Sequence, residues 1–169
     1  RAGAMRLVAP PGAEAAYEVQ RPIGRGSFGE VFLVRRRDDA GPLGDAPCDG
    51  GAAGGSRAPR LLAMKQVPSV ADLPPKQRQA LELEVRLLSQ VRHPNVLGCE
   101  DAFLNSEGHL CIFTEYCECG DAFSFVRGAG LTEPAALEWL AQIALGLHAL
   151  HERRVLHRDL KTQNIFVAA

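Results

Sequence analysis

The chain has 169 residues, 46% of them apolar and 23% charged, and a net charge of -1, which fits one soluble globular domain long enough to bury a core. That charge lacks the basic excess that nucleic acid or an anionic membrane surface demands, so neither is expected as a partner. No apolar run is long enough to cross a bilayer. The alanine-rich start is broken by Pro10, Pro11, Gly12 and Glu14 before it can form a signal peptide, so the expected compartment is cytoplasmic.

Residues 1–16 read as an N-terminal tail. After them comes "YEVQRPIG", then "IGRGSFGEVFLV" from Ile23 to Val34. The spacing G-x-G-x-x-G at Gly24, Gly26 and Gly29 serves two kinds of phosphate loop, and the bare pattern does not separate them. The flanks do. Val31, Phe32 and Val34 are strand formers, and no helical period follows Gly29, so the glycines sit in a strand-turn-strand hairpin. A dinucleotide-binding fold would need a helix there to receive the pyrophosphate.

Residues 37–60 hold six glycines and few large apolar groups, the composition of a disordered insertion between strands. "LLAMKQV", Leu61 to Val67, is a short apolar strand carrying one lysine, Lys65. From Lys76 to Arg92 the period turns helical, with Leu81, Val85, Leu88 and Val91 on one stripe. Glu84 lies within that stripe and Glu82 well outside it. An inward carboxylate is costly unless paired, and Lys65 is the isolated strand-borne cation upstream, so the two are expected to pair. Beside a flap whose glycines let backbone approach phosphate, such a pair suits a nucleoside triphosphate.

"HLCIFTEYCECGD", His109 to Asp121, reads as a strand ending in a turn. His109, Cys111, Cys117 and Cys119 could be assembled into a zinc site. The five cysteines are odd in number and irregularly spaced, however, and buried or inert thiols are the better account. "LTEPAALEWLAQIALGLHALHERR" reads as a long helix, with Thr132 as N-cap, Pro134 in the first turn, and a buried stripe of Ala136, Leu140, Ile143, Leu147 and Leu150.

Immediately beyond stands "HRDLKTQN", His157 to Asn164. It matches H-R-D-L-x-x-x-N and follows the flap, the lysine strand and the carboxylate helix in a fixed order. From about Tyr17 onward the chain therefore resembles a eukaryotic protein kinase domain, and "EYCECGD", "RHPNVL" and "LHRDLKTQN" look most like the NimA-related (Nek) serine/threonine kinases. The resemblance implies an α+β fold. Residues 17–114 would form an antiparallel β-sheet N-lobe with one regulatory helix, 115–120 a hinge, and 121–169 the start of a mainly helical C-lobe. It also implies ATP and Mg2+ as cofactors, and proteins bearing Ser or Thr as substrates.

Carried over residue by residue, Gly24, Gly26 and Gly29 would lie over the phosphates, Val31 and Ala63 against the adenine, and Ile23 would also bind the nucleotide. Lys65, oriented by Glu84, would hold the α- and β-phosphates. Thr114 would be the gatekeeper, and the backbone of Glu115 and Cys117 would meet the adenine edge. Asp159 would accept the hydroxyl proton, Lys161 would neutralise charge on the transferred group, and Asn164 would ligate magnesium. His157 and Arg158 would serve architecture. Cytoskeletal, ciliary or nuclear association follows from the resemblance alone.

The pattern departs from the family after Asn164, because the chain reaches Ala169 without a D-F-G. It starts at Arg1, has its first methionine at Met5, and reads as a piece of something longer. These 169 residues alone are expected to be inactive, and to associate through the apolar stripe of the long helix. The alternative is a truncated kinase module, without catalysis, that acts in nucleotide or protein binding.

Overall fold

The computed structural model describes residues 12–26, 29–37 and 60–168. Apart from Arg37 and Arg60, the insertion expected over 37–60 lies outside them, as do residues 27–28 of the glycine turn. The described chain divides into two compact units. One takes the residues up to Leu73 together with Ala102–Phe113; the other takes Pro74–Asp101 and the residues from Thr114 onward.

A five-stranded sheet, ordered β1-β2-β3-β5-β4, is formed by β1 (Tyr17–Gly26), β2 (Gly29–Arg36), β3 (Leu61–Val67), β4 (Cys99–Leu104) and β5 (Leu110–Glu115), and the first unit holds all of it but the start of β4 and the end of β5. Valine, phenylalanine and leucine dominate β2 and β3, which suits a pleated, half-buried surface. β1 and β2 pair antiparallel down to Gly26 opposite Gly29, so the glycines lie in the expected hairpin. A strand follows Gly29, and the dinucleotide-binding alternative fails on that ground.

β2 and β3 are antiparallel, with Phe32 opposite Met64 and Val34 opposite Leu62. Directly opposed residues share a face. That face joins Tyr17, Phe103, Cys111 and Phe113 in one buried cluster, where the Tyr17 ring stacks on Phe113 at 4.0 Å and Phe103 lies 5.2 Å from Phe113. Residues 12–16, expected to be tail, are seated here instead: a 3-10 turn over Glu14–Ala16 packs Ala13 and Ala16 against the cluster.

In the second unit, α1 (Pro75–Gln90) starts with proline in its first turn, where a missing N–H costs nothing. Val85 and Val91 of its expected stripe are buried whereas Leu88 is exposed, and Arg78 pairs with Glu82 at 3.9 Å. α2 (Ala122–Ala129) is capped by Asp121, whose Oδ1 accepts the Ser124 N–H at 2.8 Å. α3 (Glu133–Glu152) has Thr132 at its N-cap, though without a side-chain capping bond, and proline in its first turn.

The buried stripe expected along α3 needs correction. Leu150 is buried, but Leu140 is 61% exposed, and so is Leu137. A close backbone approach falls elsewhere, at Gly146. There the 93–96 turn comes so close that a Cβ would stand 2.5 Å from the Asn95 carbonyl oxygen. The Asn95 Nδ2 donates to Gln142 Oε1 at 3.3 Å beside it. Helical period identifies the apolar side of a helix, whereas the absence of a side chain decides where another segment docks. No described helix is long and apolar enough to cross a membrane.

Gly146→Ala is expected to lower stability by about 1–3 kcal/mol, because backbone and not a flexible side chain must yield. Thermal unfolding checks it. An unchanged melting temperature would show that the 93–96 turn moves freely.

Candidate active site

In the sheet unit, the register places Val31 opposite Lys65 and Leu33 opposite Ala63. Val31, Ala63 and Lys65 therefore share the face turned away from the aromatic cluster. Gly24 is the partner of Val31, and a Cβ on it would meet the Val31 side chain at 3.9 Å. Ile23 falls at a register shift between Pro22 and Gly24, a bulge that re-aims the strand just before the glycines.

Gly29 is held by two constraints. Its φ is +133°, and a Cβ there would lie 1.9 Å from the Gln66 carbonyl oxygen, so no other residue fits without moving β3. The pairing expected between Lys65 and Glu84 lies outside the description, as the Glu84 side chain does. Thr114 alternates with Phe113 along β5 and so stands on the side opposite the core residue.

In the second unit, Glu115 ends β5 and is exposed. The Cys117 carbonyl accepts the Gly120 N–H at 3.1 Å, closing a turn, and its second lone pair still allows another donor. Burial, then the Glu115 charge, pushes the Cys117 thiol up, which makes it a weaker nucleophile than a free cysteine. Burial pushes Cys99 and Cys111 up to about 11. Among the described residues no group of three His, Cys, Asp or Glu side chains gathers as a metal site.

Asp159, Lys161 and Asn164 come together within one loop. Arg158 takes a left-handed φ of 59°, uncommon for a non-glycine residue, and the Asp159 N–H then turns back to the His157 carbonyl at 2.8 Å. A 3-10 turn over Thr162–Asn164 returns the chain. Asn164 Nδ2 donates at 2.8 Å both to the Asp159 carbonyl and to its Oδ2. The Lys161 ammonium stands 2.9 Å from the same Oδ2. The loop is joined to the start of α2 by backbone bonds from Ala122 N–H to Ile165 and from Val167 N–H to Gly120, at 2.8 and 2.9 Å.

The hydrogen bond from Lys161, then that from Asn164, holds the Asp159 carboxyl below the usual carboxylate range. It is thus ionised at neutral pH, able to accept a proton, and oriented by two donors. With its amide nitrogen committed to Asp159, Asn164 is left with its oxygen for a cation. A carboxamide or carboxylate oxygen is the donor type that magnesium takes, so the residues present fit that ion while supplying few ligands themselves.

A protein kinase domain model matches residues 55–169, and the chain belongs to that family. Similar proteins include Nek serine/threonine kinases. Nek4 of Mus musculus is 37% identical over 157 residues, covering 91% of this chain and 17% of that protein. Nek5 of Homo sapiens is 33% identical over 155 residues, covering 90% and 19%. Nek1 of Mus musculus is 34% identical over 154 residues, covering 89% and 11%. The chain spans less than a fifth of the length of these relatives.

Reasoning from sequence did not single out Asp121 as a cap or Gly146 as a docking point. Asp at the start of an apolar helical run is a legible capping signal. Gly146 gave no local sign.

Lys161→Met should raise the Asp159 pKa toward the ordinary carboxylate range, because it removes the largest depressing interaction. A depressed carboxylate contributes above its unfolded pKa and loses that contribution as pH falls through the folded value, so the variant has less to lose and has lost all of it at a higher pH. A carboxyl-carbon NMR titration of Asp159 reads the shift; an unmoved midpoint refutes the assigned cause.

Proposed function

We propose that the protein carrying these residues is a serine/threonine kinase that transfers the ATP γ-phosphoryl group to Ser or Thr hydroxyls of proteins. The observation that carries the reading is the Asp159 carboxylate, kept ionised and aimed by Lys161 and Asn164 in one short loop. Such a carboxylate can accept the substrate hydroxyl proton as the oxygen attacks phosphorus. Lys161, one bond away from that carboxylate, can neutralise charge on the transferred group.

On the sheet unit, Val31 and Ala63 offer an apolar face to adenine, and Lys65 on the same face is placed for phosphate. Gly24, Gly26 and Gly29, with Ile23 at the bulge, form the flap; Glu84 orients Lys65; Thr114, Glu115 and Cys117 serve the adenine edge. Asn164 would hold magnesium, which when bound with ATP offsets the phosphate charge. The cytoplasm is the proposed compartment, with ATP and protein substrates as partners.

The 169 residues by themselves contain no D-F-G and are expected not to phosphorylate peptides. Leu137, Leu140 and Leu145 are more than half exposed along α3, and the isolated chain is expected to self-associate there.

Asp159→Asn in the intact protein keeps the shape and removes the base. Its rate of peptide phosphorylation with magnesium and ATP is expected to fall by about 10²–10⁴-fold, while nucleotide affinity stays near that of the unaltered protein. A variant as active as its parent refutes the role. An intact parent that binds nucleotide but never transfers phosphate would favour a binding module.

A further inference from the structure

The 3-10 turn over Glu14–Ala16, packed on the sheet through Ala13 and Ala16, is tied to the β4–β5 turn across 92 residues. Both Glu14 carboxylate oxygens are used: Oε1 accepts the backbone N–H of Ser106, and Oε2 accepts its hydroxyl at 3.2 Å. Ser106 is exposed in the tight turn between β4 and β5. Asn105 braces that turn with its own Oδ1, which takes the N–H groups of Glu107 and His109 at 3.1 and 2.8 Å. The Glu107 carboxylate lies 3.3 Å from the His109 ring. The turn thus keeps its shape without Glu14, whereas the N-terminal segment gains a specific attachment from it.

What that segment covers is the apolar cluster. Ala13 and Ala16 pack against a core that includes Cys111, which is only 4% exposed. Glu14 and Glu107 are close enough to Cys111 for their charges to help raise its thiol, after burial itself.

We propose that Ser106 is a phosphorylation site, and that its modification releases the N-terminal turn from the sheet. Transfer forms a bond from Ser106 Oγ to the γ-phosphorus of ATP and breaks that phosphorus's bond to the β,γ-bridging oxygen. ADP departs, and the hydroxyl proton passes to the kinase's base. The product loses the O–H that donates to Glu14 and sets close to two negative charges against a carboxylate, an arrangement that like-charge repulsion opens. Glu107 adds a third acidic group to the same turn. The source of the phosphate is either this protein's own activity in trans, which rests on the function proposed above, or a separate serine kinase.

The test uses the intact protein with magnesium and ATP, alone and with an added acidic-directed serine kinase. Phosphate on Ser106 is mapped by mass spectrometry, and Cys111 alkylation by iodoacetamide is timed at the peptide level. Phosphate is expected on Ser106 in at least one arm; the arm without added kinase identifies self-modification. In the modified fraction, and in Ser106→Glu, Cys111 should alkylate about tenfold faster, as local opening exposes it. Ser106→Ala keeps the backbone bond to Glu14 and should stay within about twofold of the parent.

A double variant, Glu14→Lys with Ser106→Glu, restores opposite charges and should return Cys111 to its protected rate, which general unfolding would not allow. Three results overturn the proposal: Ser106 unmodified in both arms, Cys111 still protected after modification, or failure of the charge-swapped pair to protect it.

Discussion

Everything in the sheet unit depends on the period of two that a β-strand imposes on its side chains. β2 and β3 are registered so that Phe32 and Val34 meet Met64 and Leu62 on one side, while Val31 meets Lys65 on the other. A slip by one residue would turn the lysine into the aromatic cluster and expose the apolar set, and burying an unpaired ammonium is far costlier than any gain in pairing. The hydrophobic core thereby fixes the chemistry-bearing face. Tyr17, Phe103 and Phe113 never touch a nucleotide in the proposed mechanism, yet their packing determines which way Lys65 points.

The glycine hairpin obeys the same register and adds a constraint of its own. Gly26 and Gly29 close the hairpin, and Gly29 runs so close to the Gln66 carbonyl that the neighbouring strand occupies the place of a side chain. Glycine at this position answers to β3 first. Any service to phosphate comes from the close backbone approach that the same lack of Cβ permits.

The elements legible in the sequence were those whose cause is local. The hairpin, the lysine strand, the limits of α1 to within two residues, and the loop from His157 to Asn164 each follow from a short pattern. In the loop, every bond that shapes the Asp159 carboxylate comes from within five residues of it, which is why a motif of eight letters sufficed to find it. The α3 stripe failed for the opposite reason. Leu140 and Leu150 have equal claims to burial by period, and only a long-range contact, the 93–96 turn pressed onto Gly146, decides between faces. The Lys65–Glu84 pair stands as an inference from amphipathicity, since the structure describes no Glu84 side chain.

The link from Glu14 to Ser106 illustrates how far such long-range features lie from any sequence pattern. A glutamate in a stretch read as tail, and a serine in a turn, carry no mutual signal at a separation of 92 residues. The fold joins them because the residues just before β1 lie on the cluster where Tyr17 stacks on Phe113 of β5. A polar tie at that exit costs little, since exposed hydrogen bonds contribute modestly to stability. Its small energy is also what lets one change of charge reverse it. Core contacts such as Tyr17 on Phe113 are too strong to serve that purpose, so a reversible element belongs at the margin of the core, where Glu14 and Ser106 stand.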